Sequence, residues 1–417
     1  MLSDSQKRAW DKLTIWIKKN DPDEPFFILG GVAGSGKSYL LGYLAKAGYE
    51  NLYFSATTNK AAKVVGEQVG FVAKTIYSLL GLRMEQYEDK LVLTTIPEKA
   101  PYFPKGSIIV IDEASMIGKA LLEIIEDTTL RARVRVIFVG DPAQLPPVGE
   151  LSSPVWTCTK NPDCGIVMTE VMRNDNELLA LATELRGCIK NKTYESPIEH
   201  SVAEDGSGIY LWPSKRKLER YILDNVHNIN FHEEKIIAWR NVTVNYYNNL
   251  VRSALGHTEP YEETEIILLA RPIERNGELV AHTDDEFVID KRTEGVVMVD
   301  MLGVDVWCLE VSGFQKFILK VPKDPRELEG ILNAKSAYAS SLKGKKRYDA
   351  WKDFWKTKNA FDEIRYGYAL TAHRAQGSTL KKCFVDQQDI LLNHKSREAF
   401  QCLYVAITRP TEAVHTF

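Results

Sequence analysis

Three glycines, two serines and a lysine form the most chemically committed stretch of this chain. Gly31-Val-Ala-Gly34-Ser35-Gly36-Lys37-Ser38 fits the pattern GxxxxGK[ST]. It follows the apolar run Phe26–Leu29 and precedes a helix-like stretch, Tyr39–Lys46. Glycines at that spacing let backbone N–H groups turn inward around phosphate, at the positive end of the next helix. Lys37 is placed to neutralise the β- and γ-phosphates of a nucleoside triphosphate, and Ser38 to hold its Mg²⁺. Further on, the apolar run Ile108–Ile111 ends in Asp112 and Glu113. At such a strand end one carboxylate can join the metal's oxygen shell while its neighbour polarises the attacking water. A third apolar run, Val136–Val139, leads through Gly140 and Asp141 into Pro142-Ala-Gln144-Leu-Pro-Pro-Val148. The Gln144 amide there can sense a γ-phosphate.

These groups need a scaffold that brings strand ends together. Short apolar runs (Phe26–Leu29, Asn51–Ser55, Ser107–Ile111, Val134–Val139) alternate with helix-length segments, the pattern of a parallel sheet covered on both faces. Ser3–Lys19 reads as a helix capped by Ser3 or Ser5, with Ala9, Trp10, Leu13, Trp16 and Ile17 on one face. A second set of runs, Lys235–Trp239, Tyr366–Leu370, Cys383–Asp386 and Ala413–Phe417, is joined by helical Val244–Ala254 and Arg397–Ile407. Two α/β domains are therefore expected. Between about His257 and Lys320 the pattern changes to short strands, Glu265–Ala270, Glu286–Asp290, Gly295–Val299, Val304–Val311 and Phe314–Val321, as in a small antiparallel barrel. Pro325–Ser341 and Tyr348–Phe361 then read as helices.

Composition bounds the rest. A chain of 417 residues, 44% apolar and 26% charged, has the balance of a folded multidomain protein. Its net charge of −3 excludes a globally basic nucleic-acid binder but not a local basic track. Such a track is present: Gly313–Lys358 holds 12 Lys and Arg against 5 Asp and Glu. Within it, Trp351, Phe354 and Trp355 fall at the i, i+3, i+4 spacing of a buried helix face, so they are assigned to core, with nearby lysines free to face a polyanion. The six cysteines match no zinc-site spacing and are expected to be reduced thiols. No apolar run approaches the ~20 residues of a membrane span. The chain opens on no basic-then-apolar leader, so a cytoplasmic setting is expected.

Taken in order, these segments resemble the superfamily 1B DNA helicases of the Dda and RecD types. Ser55-Ala-Thr-Thr58-Asn59-Lys60 is similar to motif Ia and Thr75-Ile-Tyr77-Ser78 to motif Ib. Asp112-Glu113-Ala-Ser115-Met116 is similar to motif II, and Gly140 to Gly149 to motif III. Thr169-Glu-Val-Met-Arg173 resembles motif IV, Thr371-Ala-His373-Arg-Ala-Gln376-Gly377-Ser378 motif V, and Tyr404-Val-Ala-Ile-Thr-Arg409 motif VI. Thr57 and Asn59 stand where proline and glycine are often found, and Tyr77 where histidine is usual, although tyrosine can also stack on a base.

The resemblance implies two RecA-like domains: 1–83 with 105–165, and 166–257 with 360–417. A pin insert falls at 84–104, and an SH3-like barrel with a helical extension at 258–359. It implies ATP and Mg²⁺, with Gln6 reading adenine and Gly34, Ser35, Gly36, Lys37, Ser38, Gln376 and Gly377 lining the nucleotide. Ser38 and Asp112 would hold the metal. Catalytic roles fall on Lys37, Asp112, Glu113, Gln144, Arg173 and Arg409, the two arginines reaching the γ-phosphate from outside the P-loop domain. Single-stranded DNA and duplex junctions are the expected track, contacted by Thr58, Asn59, Lys60, Thr75, Tyr77, Thr371 and His373, with Tyr87 near the pin tip. A monomer moving 5′→3′ in a bacterial or phage-infected cell is implied, with a single-strand-binding or replisome protein as the class of partner. Two rival readings are a P-loop ATPase with another task, against which motifs Ia, V and VI count, and a DNA-binding protein gated by nucleotide without turnover, against which Lys37, Glu113 and Arg409 count. The residues leave an RNA track open beside DNA.

Overall fold

The computed structural model describes residues 2–87, 90–95, 102–147, 149–170, 177–275 and 278–417. Helix α1 (Asp4–Lys19) opens the chain; Ser3 caps it in a reciprocal capping box with Gln6, and its Ala9, Leu13, Trp16 and Ile17 are buried. The first unit then runs β1 (Phe26–Gly31), α2 (Lys37–Ala45), β2 (Leu52–Ala56), α3 (Asn59–Val69), β3 (Lys74–Thr75), α4 (Ile76–Leu79), hairpin β4 (Leu82–Tyr87) and β5 (Lys90–Thr95), β6 (Ile108–Asp112), α5 (Lys119–Ala132), β7 (Arg135–Gly140) and β8 (Gly165–Met168). Its sheet has the order β3-β2-β6-β7-β1-β8 and is parallel throughout. Every residue of β7 is buried, as a strand covered on both faces requires.

The second unit begins with α6 (Glu177–Asn191), β9 (Ser201–Val202), β10 (Gly208–Leu211), α7 (Lys215–Asp224), β11 (Glu234–Ala238) and α8 (Asn241–Ala254). An insert follows: β12 (Ile266–Leu269), β13 (Ile273–Arg275), β14 (Glu278–Ala281), β15 (Glu286–Val299), β16 (Leu302–Ser312), β17 (Phe317–Pro322), α9 (Pro325–Ser341), α10 (Gly344–Lys358) and β18 (Ile364–Tyr366). The chain then returns through β19 (Ala369–Thr371), α11 (Ala372–Ala375), β20 (Leu380–Val385), α12 (Gln387–Leu391), α13 (Ser396–Thr408) and β21 (Pro410–Thr416). The second sheet has the order β19-β11-β20-β21-β10-β9, parallel except for β9. The insert forms an antiparallel sheet, β17-β16-β15-β12-β18, beside the β13–β14 hairpin.

Four local readings are corrected. Gly165–Met168 pairs with β1, so the first unit runs three residues past the boundary expected at 165. Glu286–Asp290 and Gly295–Val299 are one bulged strand, because the polar residues between them pair with β16 and Arg292 lays its guanidinium over Trp307 at 4.5 Å. Tyr366–Leu370 is two strands in different sheets: it turns at Gly367, where a Cβ would meet Ile266 Cγ2 at 2.7 Å. Helix α10 begins at Gly344, four residues before Tyr348, and ends at Lys358. Its Trp351 and Trp355 are buried, with the Phe354 ring edge-on to both.

The two parallel units share a core. Ala143 and Leu145, from the loop after β7, pack among Leu181, Leu185, Leu403 and Ile407 of α6 and α13. Leu145 is 1% exposed, and burial of such a side chain is worth roughly 1.5–3 kcal/mol. That anchors the β7 loop against the second unit.

Candidate functional site

Strands β1, β6 and β7 are neighbours, so their carboxyl ends bring the P-loop, Asp112–Glu113 and the Gln144 loop to one edge, where open α/β sheets bind ligands. Gly34 and Gly36 take left-handed φ values of 74° and 76°, which a side chain at either position would strain. Lys37 is folded onto its own loop, its Nζ donating to the Gly31 and Val32 carbonyls at 2.9 and 3.0 Å. Burial pulls its ammonium below the usual lysine range, against the opposing pull of Asp141, Asp112 and Glu113.

Burial, reinforced by the neighbouring Glu113 charge, pushes the Asp112 carboxyl up to about 7. Glu113 has a left-handed backbone, φ 53°, an uncommon conformation for a side-chain-bearing residue and one found at functional turns. The second unit closes over this edge. Gln376 donates through Nε2 to Ser115 Oγ (3.0 Å) and Gln144 Oε1 (3.2 Å), and Gln401 donates to the Gln144 carbonyl at 2.9 Å. Arg409 places Nη1 4.0 Å from Glu113 Oε1 and 3.4 Å from the Ser378 carbonyl. Its Nε is buried without a partner, a donor still to be used.

The residues fit a magnesium nucleotide. Ser35 Oγ is buried and unpartnered inside the loop, and the two adjacent carboxyls, Asp112 held up by burial and by Glu113, are a hard-oxygen pair at the same edge. A serine hydroxyl and one carboxylate are the hard oxygen donors that Mg²⁺ takes alongside phosphate oxygens. Gln6 is buried at the start of α1, where its Oε1 accepts the Ser3 N–H at 3.1 Å, so the capping box already uses its carbonyl.

The expected DNA contacts fall on both units. Thr58, Thr75 and Thr371 each accept a backbone N–H at the start of a helix, from Ala61, Ser78 and Arg374. Asn59 and Lys60 begin α3, and Gly377 lies against Thr58, its would-be Cβ 3.5 Å from the hydroxyl. Tyr77 is half-buried against the first unit's core. His373 is half-buried and 3.9 Å from Glu398, and burial lowers its pKa. The Tyr87 backbone pairs with Lys90 at the end of the β4–β5 hairpin. Arg173 lies outside the described residues, as do Val148, Glu88 and Asp89. All six cysteines are unpaired, and burial raises Cys164 to about 11 and Cys158 to about 12. No helix among the described residues is long and apolar enough to cross a membrane.

Sequence reasoning missed the groups that join the units. Gln401 sits on α13, buried continuously from Ala399 to Ile407, and Arg186 on α6, neither in a recognisable pattern, whereas Asp141 and Tyr404 lie inside motifs III and VI with no role assigned.

The family described as AAA domain matches residues 1–193. The chain is 25% identical to the ATP-dependent DNA helicase dda of Enterobacteria phage T4, over 98% of this chain and 97% of that one. It is 26% identical to the uncharacterized protein R530 of Acanthamoeba polyphaga mimivirus, over 99% of each. Among solved structures, the Pif1 helicase from Bacteroides in complex with ADP-AlF3 and single-stranded DNA shares the fold, with a TM-score of 0.53 at 15% identity over 100% of this chain and 92% of that one.

Proposed function

We propose, from its likeness to the superfamily 1B helicases of the Dda and RecD types, that this chain is an ATP-dependent DNA helicase that moves 5′→3′ on single-stranded DNA and unwinds duplex. The observation that carries the reading is the composite edge. Lys37, Asp112, Glu113 and Gln144 of one parallel-sheet unit face Gln376 and Arg409 of the other.

Lys37 neutralises the β- and γ-phosphates after leaving its own loop carbonyls, with Gly34, Ser35 and Gly36 turning amides toward them. Gln6 reads adenine and Gly377 borders the nucleotide. Ser38 and Asp112 hold Mg²⁺, which when bound supplies charge neutralisation on the phosphates. Glu113 takes the proton from the attacking water. Arg409, with Arg173, meets the charge that develops at the γ-phosphate, a contribution worth ~10³–10⁵ in related phosphoryl transfers. Gln144 and Gln376 register the γ-phosphate across the cleft, so hydrolysis and domain closure are one event.

The units correspond to two RecA-like domains, the first running to Met168. The antiparallel insert is read as an SH3-like barrel with a helical extension, and the β4–β5 hairpin as the pin. Thr58, Asn59, Lys60, Thr75, Tyr77, Thr371 and His373 face the strand, with Tyr87 near the pin tip. The protein acts as a monomer in the cytoplasm, at single-strand–duplex junctions where a single-strand-binding or replisome protein can meet it.

A strand-displacement assay with ATP on 5′-tailed and 3′-tailed duplexes tests this. Displacement of the 5′-tailed substrate alone is expected. Preference for the 3′ tail would reverse the polarity, and DNA-independent ATPase without displacement would remove the helicase reading.

A further inference from the structure

Asp141 lies just past the carboxyl end of β7 and is fully buried. Its carboxylate accepts the Ala143 N–H at 3.0 Å, the Arg186 guanidinium from α6 and the Tyr404 phenol from α13. The last two donors belong to the second unit, so a charge of the first unit is neutralised from across the cleft. A buried carboxylate is tolerable only when it is fully paired.

Tyr404 is 1% exposed, and its hydroxyl also accepts the N–H of Ala33, inside the P-loop, at 3.2 Å. Burial and the adjacent Asp141 keep the phenol protonated, so it can donate to the carboxylate while it accepts from the loop. One hydroxyl thus joins the P-loop, the strand end that leads to Gln144, and helix α13. On that helix, Gln401 holds the Gln144 carbonyl at 2.9 Å, and the residue that caps its end, Arg409, sits 4.0 Å from Glu113. A side chain delivered from the end of a helix is only as well placed as the helix is docked.

We propose that Tyr404 is a positioning residue: pinned between Asp141 and Ala33, with Arg186 bracing Asp141, it docks α13 so that Arg409 meets Glu113 in register. The proposal rests on the helicase reading above for the role of Arg409. It implies that the hydroxyl, rather than the ring, carries a kinetic function. The ring fills space in the shared core; the hydroxyl sets the approach of the arginine to the reacting phosphate.

Tyr404→Phe keeps the ring and deletes the hydroxyl. ATP turnover with and without single-stranded DNA, together with a thermal melt, reads the result. Because a misplacement of about 1 Å can cost on the order of 100-fold, DNA-stimulated kcat should fall about 10- to 100-fold. KM for ATP should stay within about twofold, since the contact is made only toward the transition state. Asp141→Asn should show the same kcat loss, and the double variant should be no slower than the slower single, because both remove one network. Parent-like kcat in Tyr404→Phe overturns the proposal, as does a loss confined to KM. If Asp141→Asn does not fold, Tyr404→Phe alone decides. A parent enzyme indifferent to DNA would remove the helicase reading, and the kcat comparison in its absence would still decide the role of Tyr404.

Discussion

At the scale of single residues, the nucleotide edge separates binding from chemistry. Lys37→Ala removes the charge proposed to meet the β- and γ-phosphates, and turnover should fall below detection in a phosphate-release assay. Glu113→Gln keeps shape and a hydrogen-bonding end but cannot take a proton; nucleotide and DNA should bind while hydrolysis slows at least ~100-fold. Near-parent turnover would take Glu113 out of the base role. A residue far from this edge gives the clearest pH response. His415 stacks on Tyr210 at 4.5 Å and accepts the Trp212 indole N–H at 3.3 Å. Burial, with the charge of Lys382, pushes its imidazole down to about 4. The unfolded chain therefore binds the proton first as pH falls. Stability from this group is complete above about 6.5, the ordinary histidine value, and drains away down to about 4. His415→Gln should flatten that acid limb of a Tm-versus-pH curve, and an unchanged limb would assign the acid sensitivity elsewhere. What was legible at this scale was what a motif marks. Asp112, Glu113, Gln144, Gln376 and Arg409 do converge, whereas Arg186 carries no local signal because its partner, Asp141, is 45 positions away in sequence.

At the scale of elements, continuous apolar runs announced the central parallel strands. A strand buried on both faces is apolar along its middle, as β7 is from Val136 to Gly140 after the buried Arg135. The edge strands β3 and β9, and β10 beside β9, have two to four residues and too little periodicity to be read. The bulged β15 hid because its middle is charged and half-exposed. The hairpin arms β4 and β5 pair in unbroken register from Leu82↔Thr95 to Tyr87↔Lys90, beginning two residues before the insert expected at 84–104. As a wedge, an aromatic near its tip would stack on the last base pair. Such stacking is worth ~1–3 kcal/mol per base, against ~1.4 kcal/mol for a DNA base-pair step. Replacing residues 85–94 by a short Gly/Ser linker should leave DNA-stimulated ATPase near parent while strand displacement falls at least tenfold, an estimate of about 1.4 kcal/mol at the fork. Displacement at the parent rate would reject the wedge. Equal loss of both activities would assign the hairpin to folding or to the motor.

At the scale of the molecule, the proposed function asks an acidic protein to hold a polyanion. Charge at −3 overall would repel DNA weakly, so attraction must come from a local excess, and the insert has one between Gly313 and Lys358, carried among its helices by α10 while α9 is balanced. Part of that excess is already spent: Lys335 is paired with both Asp300 and Asp353. Lys345 and Lys346, at the start of α10, are exposed and free to meet phosphate. Binding to single-stranded DNA should therefore weaken with salt, each phosphate contact adding roughly −0.7 to the slope of log K against log salt. The double variant Lys345→Glu/Lys346→Glu should make that slope shallower by about 1.4 if both side chains touch phosphate. The proposed ATP site should not notice, because among the described residues the groups around Lys37 and Glu113 come from the two parallel-sheet units. DNA-independent turnover is therefore the internal control. An unchanged slope would place the track wholly on the two parallel-sheet units, at Lys60 and the threonine-capped helices. A flat salt response in the parent would mean that base stacking, rather than charge, holds the strand.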